Sequence, residues 1–382
     1  MLLPMLSHMK TTAAVLMEME RPMPYAESRP LEIQELELVG PAEDEVLVEV
    51  KGAGLCHSDL SVINGSRPRQ MPMVLGHEAS GVVREVGSAV RGFKPDDHVI
   101  FTFIPGCGSC GYCSAGRPSL CEPGAEANNA GTLMNGGRRF SRKGEPYWHH
   151  CGVSGYSQYT IAMPGSLVKI DKELSFANAT LFGCAVMTGT GAAMNTANVR
   201  PGQSVAVFGM GGVGLSAVMG AKACAAGQLI AVDVLEHKLE MARELGATDT
   251  VNAKECDPVE AIGDLTKGGV EIAIESAGNA KVLAQAYNST MRGGTTVAIG
   301  LPHPDHQFSV PAVTLSAMEK TVKGSYQGSC VPSRDIPRFI ELFRAGQLPA
   351  DKLLSSVIKL EDINEGFDRL HKGEVARQVI LF

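Results

Sequence analysis

The chain has 382 residues, of which 44% are hydrophobic and 20% are charged, and its formal net charge is −7. This length and composition predict a globular protein with two domains of about 150 residues or more each. The small negative net charge argues against a nucleic-acid partner, which requires a basic face on the protein. No apolar stretch of the sequence is long enough to span a membrane.

The N-terminal sequence MLLPMLSHMKTTAAV contains neither a secretory hydrophobic region nor a cleavage-site pattern. We therefore expect a cytoplasmic protein whose cysteines stay reduced. The residues before about Met9 are treated as an extension or an alternative start, and they do not enter the prediction of the fold.

The first domain is predicted to be an antiparallel β barrel or sandwich. The segments 45–51, 79–86 and 97–102 are short and β-branched, and glycine or proline turns separate them. Such segments suit a sheet with tight connections.

Cys56, His77 and Cys184 have the identity of metal ligands. Each is weak evidence alone, because a buried cysteine is usually a small apolar core residue and a histidine beside a glycine turn is usually an ordinary loop residue. The spacing in the sequence alone does not show that three such distant positions come together in the folded chain.

Four cysteines within fifteen residues are the strongest signal in the chain. Cys107, Cys110, Cys113 and Cys121 are joined by tight turns that bring four thiolates around one tetrahedral zinc ion. Two disulfides are the alternative, which we disfavour because cysteines this close strain the bridge and a chain of this length buries a core without such links. The cluster predicts a structural zinc site without an open position for chemistry.

A dinucleotide-binding unit is predicted near the middle of the chain. The apolar run 204–208 predicts a buried parallel strand, and the sequence GMGGVG at 209–214 opens a helix. A G-x-G-x-x-G pattern is weak evidence in a chain with 43 glycines, but the next strand, 229–233, ends in Asp233, 19 residues after Gly214. In this context the helix N-terminus binds a pyrophosphate and the acid binds the adenosine ribose.

The same acid bears on the choice of cofactor. Asp233 favours NAD over NADP, since a carboxylate repels a 2′-phosphate. Lys238 either reaches back to the ribose or is a solvated helix lysine, and the two interpretations are about equal. The alternation of segments predicts a doubly wound parallel sheet. Its further strands are 270–275 and 295–300, and its helices include 235–245 and 280–291.

From about residue 10 to Phe382 the chain resembles the zinc-dependent alcohol dehydrogenases of the medium-chain dehydrogenase/reductase family. The resemblance rests, in order, on GHE with His77, C-x2-C-x2-C-x7-C at 107–121, GC at 183–184 and GMGGVG at 209–214. It implies an α/β protein with a GroES-like antiparallel β-barrel catalytic domain and a Rossmann NAD-binding domain. The implied bounds are 1–185 for the first part of the catalytic domain, 186–325 for the Rossmann domain and 326–382 for the return segment.

The resemblance also implies two zinc ions per chain, one structural and one catalytic, and NAD as cofactor. The implied ligands of the catalytic zinc are Cys56, His77 and Cys184, with a water or the substrate oxygen in the fourth position. The implied reaction transfers a hydride between a zinc-bound alcohol and NAD, and it yields an aldehyde or ketone.

Supporting roles follow from the resemblance position by position. Asp59 orients the histidine ligand, Glu78 lies behind the zinc, and Ser58 takes the alcohol proton. Phe103 is a wall of the substrate pocket, which Ser58 and His150 also line. The implied cofactor contacts are Gly209, Gly211, Gly212, Val213, Gly214, Asp233, Lys238, Thr188, His57 and Arg377; of these, Thr188 and Val213 pack the nicotinamide, and His57 and Arg377 contact the pyrophosphate.

Three positions depart from the family pattern. Ser61 stands where the best-studied members have the histidine that completes the proton relay, so the proton must leave through Ser61, a water chain or another base. His57 replaces an arginine of many relatives and is only partly charged at neutral pH, which predicts weaker cofactor binding. His150 replaces a bulky apolar residue, which predicts a more polar pocket mouth.

The long polar stretch between Cys121 and Gly152 predicts a homo-oligomer, and a dimer rather than a tetramer, because relatives with this loop tend to be dimers. Arg67 and Ala125 do not match the acid and the arginine with which glutathione-dependent formaldehyde dehydrogenases hold glutathione, so that substrate is disfavoured.

The predicted function is NAD-dependent oxidation of a small primary or secondary alcohol. The alternatives are a dehydrogenase for a polyol or an amino alcohol, and a non-catalytic binding protein with the same fold. The presence of all three residues that match the catalytic zinc ligands argues against the non-catalytic alternative.

Overall fold

A computed structural model of the chain describes residues 8–382, so nearly all of the predicted N-terminal extension lies outside the described residues. The chain divides into two compact units. Unit 1 comprises the residues up to Cys184, Val331–Ile336 and Leu354–Phe382, and unit 2 comprises Ala185–Cys330 and Pro337–Leu353. The chain thus leaves unit 2 at two places, whereas the sequence predicts a single return after residue 325.

The described chain contains β-strands in both units. They are β1 (His8–Leu16), β2 (Leu31–Val39), β3 (Val46–Leu55), β4 (Met73–Val74), β5 (Ala79–Val86), β6 (His98–Phe101), β7 (Phe140–Arg142), β8 (Glu145–His149), β9 (Tyr159–Ala162), β10 (Leu167–Ile170), β11 (Val205–Phe208), β12 (Leu229–Asp233), β13 (Asp249–Asn252), β14 (Val270–Glu275), β15 (Thr290–Ala298), β16 (Thr321–Gly324), β17 (Leu354–Ile358) and β18 (Arg377–Leu381).

The α-helices are α1 (Tyr25–Ser28), α2 (His57–Ile63), α3 (Gly111–Ser114), α4 (Glu122–Ala130), α5 (Phe176–Leu181), α6 (Ala185–Gly191), α7 (Gly212–Ala223), α8 (Glu236–Leu245), α9 (Pro258–Thr266), α10 (Ala280–Asn288), α11 (Val313–Ala317), α12 (Pro332–Arg344) and α13 (Ile363–His371). A π-helical segment, Ala192–Ala197, continues α6. Short 3-10 turns lie at Pro118–Leu120, Pro164–Ser166, Gln327–Ser329, Ala350–Leu353 and Leu360–Asp362.

Unit 1 is built on two β systems. Strands β1, β2, β7, β8 and β4 close into a barrel, and the second sheet runs in the order β10, β6, β5, β3, β18, β17, with β9 paired to β3. Nearly all of these strand pairs are antiparallel; the exceptions are β4 with β8 and β17 with β18. The predicted antiparallel barrel is confirmed, and the return segment supplies β17 and β18.

Unit 2 contains a six-stranded sheet in the order β13, β12, β11, β14, β15, β16, and every pair in it is parallel. The central strands β11 and β12 are buried almost throughout, as expected for a parallel sheet covered on both faces. The predicted doubly wound sheet is confirmed, and β12 and β14 have the predicted bounds.

The apolar cores follow this division. Two clusters of buried side chains fill unit 1, one around Val48, Phe101 and Tyr156 and one inside the closed barrel around Leu36 and Phe140. A further cluster in unit 2 joins strands of the parallel sheet to α9 and α10. Among the described helices, none combines the length and the apolar character that crossing a bilayer would take.

Candidate active site and metal centres

The first candidate metal centre is the cysteine knuckle, by which we mean Cys107, Cys110, Cys113 and Cys121. Their four sulfur atoms lie within 4.8 Å of one another. The Sγ atoms of Cys107 and Cys113 are 3.9 Å apart, and those of Cys110 and Cys121 are 4.0 Å apart. Tetrahedral zinc with bonds of about 2.3 Å to sulfur requires a separation of about 3.8 Å, so the knuckle fits a zinc ion.

Backbone N–H groups prepare this knuckle for anionic sulfur. The Sγ atom of Cys107 accepts hydrogen bonds from the N–H groups of Ser109 and Cys110, which lower its pKa to about 6. Burial raises the pKa of Cys113 to about 12. All four sulfur atoms can be ionised together only with a cation between them, and their tetrahedral spacing supports the prediction of a structural zinc.

The second candidate metal centre, the convergent cluster, consists of Cys56, His77, Glu78 and Cys184, and all four side chains are buried. Cys56 follows β3, and His77 precedes β5. These strands pair antiparallel with Ala53 opposite Ala79, and the N–H of Gly54 donates to the carbonyl of Glu78 at 2.9 Å. The pairing of β3 with β5 therefore brings two candidate ligands that are distant in the chain to the same end of the sheet.

Helix α5 brings the third candidate ligand, Cys184. The hydroxyl of Ser80 on β5 donates to the carbonyl of Phe176 at 2.9 Å and lies 2.7 Å from the hydroxyl of Thr180. These bonds fix α5 on the sheet, and Cys184 follows two residues after Phe182, where the helix ends. The ring atom Nε2 of His77 then lies 3.4 Å from Sγ of Cys184, close to the separation of about 3.6 Å expected for two ligands of one zinc ion.

The electrostatics of the convergent cluster favour a cation. The hydrogen bond from Cys184 lowers the pKa of Cys56 well below its ordinary value, and the charges of Arg377 and His77 act in the same direction. Burial raises the pKa of Glu78 to about 7, and neither of its carboxylate oxygens has a hydrogen-bond partner among the described residues. Two thiols, an imidazole and a buried carboxylate without partners form a donor set that fits zinc.

Asp59 lies beside this cluster in α2 and is fully buried. Its Oδ2 atom is 2.9 Å from Nδ1 of His77, and its Oδ1 atom is 3.2 Å from Nδ1 of His150. Burial alone would raise the pKa of Asp59, but the facing imidazoles hold it at about 2. The carboxylate is therefore ionised, as a residue that orients a ligand histidine requires.

The predicted pocket and relay residues also lie in unit 1. Phe103 contacts the edge of the His77 ring, with 5.5 Å between the centroids. His57 and Ser58 are the first two residues of α2. The hydroxyl of Ser61 donates to the carbonyl of His57 at 2.9 Å. His150 is only 4% exposed and faces Asp59, so its predicted contribution to a polar pocket mouth stays a prediction.

Arg377 starts β18 and is 3% exposed. Because β18 pairs with β3 and Gln378 lies opposite Leu55, Arg377 reaches the Leu55 carbonyl, to which its guanidinium donates at 3.3 Å. Its charge also faces Cys56 and Glu78. The return segment therefore places a buried cation beside the convergent cluster.

The glycine-rich turn joins β11 to α7 in unit 2. Gly209 has φ +89°, which favours glycine, and a side chain at Gly214 would collide with the Gly209 carbonyl. The space around Gly211 is open. These are the three requirements of a dinucleotide-binding turn: a tight bend, room for a pyrophosphate and close packing of helix on strand. Gly212 is the first residue of α7, and Val213 follows it.

Asp233 ends β12 next to this turn. Its Oδ2 atom accepts from the N–H of Met210 at 2.6 Å, and its Oδ1 atom accepts from the N–H groups of Val234 and Leu235. The carboxylate therefore ties the end of β12 to the glycine-rich turn. Lys238 is half-buried in α8, and its two interpretations remain open.

Thr188 lies in α6, 9% exposed, and its hydroxyl has no hydrogen-bond partner among the described residues. Gly189 packs against the carbonyl of Val213, so α6 and α7 bring Thr188 and Val213 close together. Their predicted role at the nicotinamide stays a prediction.

Sequence reasoning missed Tyr156, whose hydroxyl donates to Oδ2 of Asp59 at 2.9 Å. It also missed Gly54 and Gly76. A side chain at Gly54 would collide with the Glu78 carboxyl group, and one at Gly76 with the backbone of Tyr156. Only the glycine at 76, which stands before the ligand histidine, carried a local signal that could have identified it.

Comparison with known proteins identifies the family. Residues 42–172 match the family described as alcohol dehydrogenase GroES-like domain, and residues 212–345 match the family described as zinc-binding dehydrogenase. An S-(hydroxymethyl)glutathione dehydrogenase of Escherichia coli is 38% identical over 362 residues, which are 94% of this chain and 98% of the relative.

Two solved structures are similar along the whole length. An alcohol dehydrogenase zinc-binding domain protein from Burkholderia ambifaria has a TM-score of 0.93 at 34% identity and covers 98% of this chain and 100% of its own. Benzyl alcohol dehydrogenase from Acinetobacter calcoaceticus has a TM-score of 0.91 at 32% identity and covers 98% of this chain and 99% of its own. The predicted family and fold class, including the GroES-like barrel, are confirmed.

Proposed function

The chain belongs to the zinc-dependent alcohol dehydrogenases of the medium-chain family and is an oxidoreductase, and we propose that the convergent cluster is its catalytic centre. The observation that carries this proposal is the convergence of Cys56, His77, Glu78 and Cys184 within 4.8 Å in unit 1. The glycine-rich turn and Asp233 support NAD as the hydride acceptor. When bound, zinc supplies a Lewis acid that lowers the pKa of an alcohol, and NAD accepts the hydride.

Cys56, His77 and Cys184 hold the catalytic zinc in this proposal, and the cysteine knuckle holds the structural one, which gives two per chain. Glu78 lies in the convergent cluster as a buried carboxylate without a hydrogen-bond partner among residues 8–382. The charge of Arg377 faces Cys56 and favours its thiolate. Phe103, whose ring lies perpendicular to that of His77, is proposed as a wall of the substrate pocket.

Ser58 accepts the proton of the alcohol in the proposed relay. Ser61, one turn further along α2, points its hydroxyl back to the carbonyl of His57. This hydroxyl donates to the helix in the arrangement described, so we favour a water chain over Ser61 for the last step to solvent. His57 and Arg377 are proposed as the cationic contacts of the pyrophosphate.

Asp233 supports NAD rather than NADP. Its carboxylate already accepts three backbone N–H groups and sits at the end of β12, where a 2′-phosphate would meet a negative charge. We propose that Gly209, Gly211, Gly212, Val213 and Gly214 carry the pyrophosphate, that Thr188 packs the nicotinamide, and that Lys238 lies near the ribose.

We also propose a homodimer in the cytoplasm. All four residues of the edge strand β16 are exposed, and apolar side chains accompany it: Leu301 is 49% exposed, Val313 70%, Leu315 41% and Val322 39%. An exposed apolar edge strand of this kind favours association with a second copy. All ten cysteines are free thiols, which favours a reducing compartment.

The proposed substrate is a primary or secondary alcohol without glutathione, because Arg67 and Ala125 do not match the residues that hold glutathione in the neighbouring branch. The benzyl alcohol dehydrogenase similarity is consistent with such a substrate. The 38% identity to S-(hydroxymethyl)glutathione dehydrogenases favours the second candidate, oxidation of the formaldehyde adduct of glutathione.

One experiment tests both candidates. The purified enzyme is assayed for NADH formation with benzyl alcohol, simple aliphatic alcohols, a polyol, an amino alcohol, and formaldehyde mixed with glutathione. We expect the highest kcat/KM with a simple or aromatic alcohol and NAD, and metal analysis giving two zinc ions per chain. A higher kcat/KM with the glutathione adduct would select the second candidate, and no turnover in any mixture would contradict the proposed function.

A further inference from the structure

The carboxylate of Asp59 is contacted by four groups. Oδ1 accepts from the N–H of Gly76 at 3.2 Å and faces Nδ1 of His150 at 3.2 Å. Oδ2 accepts from the hydroxyl of Tyr156 at 2.9 Å and faces Nδ1 of His77 at 2.9 Å. Asp59 is 0% exposed, so these four protein groups surround a carboxylate that has no access to solvent.

Tyr156 is fixed at both ends. Its N–H donates to the carbonyl of Leu75 at 3.0 Å, next to the turn that carries His77. Its hydroxyl lies 2.9 Å from Asp59 and 3.0 Å from the carbonyl of Gly54. A hydroxyl has one proton, and an ionised carboxylate is a stronger acceptor than a carbonyl, so the proton goes to Asp59.

His150 approaches Asp59 from a tight turn after β8. Its N–H donates to the hydroxyl of Ser154 at 3.0 Å, and its carbonyl accepts from the N–H of Val153 at 3.0 Å. The ring is 4% exposed and meets the His77 ring edge-on at a centroid distance of 5.9 Å. Both Nδ1 atoms lie within 3.2 Å of an Asp59 oxygen, although neither approach is straight enough for an ideal hydrogen bond.

Two of the four groups around Asp59 are side chains that are not proposed metal ligands, namely His150 and Tyr156. Tyr156 donates to the carboxylate and His150 packs against it, so both hold Asp59 against His77. If either is lost, the carboxylate is free to rotate toward the remaining donors, and His77 loses a fixed partner at Nδ1. We propose that His150 and Tyr156 are positioning residues that hold Asp59, and through it the His77 imidazole, in the orientation that binds the catalytic metal.

This inference rests on the proposed function, since it assumes that His77 is a zinc ligand. It also changes the role given to His150, which the sequence places at the pocket mouth. Partners of a ligand histidine typically change metal affinity by about 10- to 100-fold when they are removed. We expect each of His150→Phe and Tyr156→Phe to speed zinc loss from the convergent cluster by about tenfold.

The test measures zinc transfer from the holoenzyme to the chromogenic chelator 4-(2-pyridylazo)resorcinol. The phase that belongs to the convergent cluster is the one absent in Cys56→Ala. The absorption spectrum of enzyme with Co2+ in place of zinc gives a second readout, because it reports the ligand arrangement without turnover. We expect altered cobalt spectra for both variants.

Two further variants separate positioning from general damage. His150→Asn keeps an N–H donor near the position of Nδ1 and should restore slow zinc release. Tyr147→Phe removes another buried hydroxyl, which donates to Gln34 at 3.1 Å and is not one of the groups around Asp59. This variant should release zinc like the wild type. Tyr156→Phe removes a single oxygen atom, so it tests the inference even if His150→Phe does not fold.

The outcomes are distinguishable. If the wild type binds only the zinc of the cysteine knuckle, the proposed function itself is wrong. If it binds two zinc ions and both Phe variants release them at the wild-type rate with unchanged cobalt spectra, the positioning role alone is wrong. A third metal ion per chain, lost in His150→Phe, would also overturn it, because Asp59, His77 and His150 would then be metal ligands.

Discussion

The cysteine knuckle and the convergent cluster are both groups of metal-ligating side chains in unit 1, yet they are assembled in opposite ways. The knuckle takes four ligands from fifteen consecutive residues, three of them half-buried. The convergent cluster takes its ligands from three segments spread over positions 56–184, and every one is buried. The first is a product of local turns, and the second is a product of the pairing of β3 with β5 and the docking of α5.

This difference predicts different consequences of damage. In the proposed function all four positions of the knuckle's zinc are filled by cysteines, so this metal should contribute mainly to stability. The proposed zinc of the convergent cluster keeps an open fourth position, so it should contribute mainly to chemistry. Variants that change one cluster and spare the other test whether the division holds.

The largest effect is expected for Cys56→Ala. The variant removes one ligand from the convergent cluster and leaves the sheet around it intact. We expect one zinc ion per chain instead of two and a fall in kcat on the order of 10³-fold, since Lewis-acid stabilisation is worth several kcal/mol. The free energy of unfolding should change much less. Full activity with one zinc ion would show that the catalytic metal lies elsewhere.

The matched change in the knuckle is Cys113→Ser. We expect loss of the other zinc ion and a free energy of unfolding lower by about 3 kcal/mol or more, because four-ligand zinc stabilises the folded chain. The kcat of the protein that remains folded at low temperature should stay near that of the wild type. Guanidinium unfolding and metal analysis on the same sample measure both quantities. A loss of kcat without a loss of stability would reverse the assignment of the two clusters.

Acid should weaken the scaffold of the convergent cluster through His149. This residue ends β8, directly before His150, and is fully buried. Burial, with a smaller contribution from the charge of Arg139, lowers its pKa to about 3. The unfolded chain binds a proton below pH about 6.5 and the folded chain does not. The contribution of His149 to stability is thus complete above that pH and is lost as the pH falls toward 3.

Between pH 7 and pH 5 this linkage amounts to about 2 kcal/mol. The measurement is urea unfolding of wild type and His149→Gln at both values. Glutamine does not titrate, and its amide oxygen can accept the N–H of Arg139, which donates to His149 at 3.1 Å. On acidification from pH 7 to pH 5, the free energy of unfolding of the variant should fall by about 2 kcal/mol less than that of the wild type. Equal losses in the two proteins would mean that the histidine is protonated in the fold.

The contrast between the two clusters also explains what the sequence could predict. The cysteine knuckle and the glycine-rich turn depend on short-range spacing, so their geometry follows from the order of residues. Strands β12 and β14 were predicted with their bounds because a buried parallel strand is a mostly apolar run, and each of these runs ends at an acid, Asp233 and Glu275. The convergent cluster was identified only by family resemblance, since no local pattern shows that β3 and β5 pair or that α5 returns Cys184 to them.

The surroundings of Asp59 show the limit of that resemblance. His150 was assigned to the pocket because relatives have an apolar residue there, and an apolar side chain cannot reveal a polar contact to Asp59. Tyr156 had no signal at all, as an aromatic residue in a buried segment is normally core. The entry of Pro337–Leu353 into unit 2 was missed for the same reason: packing partners far apart in the chain decide it.

The smallest changes in kcat and stability are expected for alanine at two glycines, one in each cluster's surroundings. At Gly54 an added methyl group would meet the carboxyl group of Glu78, whereas the space beside Gly111 in the knuckle is open. In Gly54→Ala the end of a flexible side chain can give way, so stability should change little, but Glu78 must leave its place beside Cys56. We expect kcat to fall about tenfold, which corresponds to a rise of about 1.4 kcal/mol in the activation free energy.

Gly111→Ala should leave both kcat and the free energy of unfolding unchanged within about 0.5 kcal/mol, because it stands at the first position of α3 without a positive φ or a close neighbour. Steady-state kinetics and guanidinium unfolding of the two variants, measured side by side, complete the comparison. If Gly54→Ala turned over like the wild type, the position of Glu78 would not matter to the reaction. If instead Gly111→Ala lost zinc, the knuckle would be less tolerant than its open turns indicate.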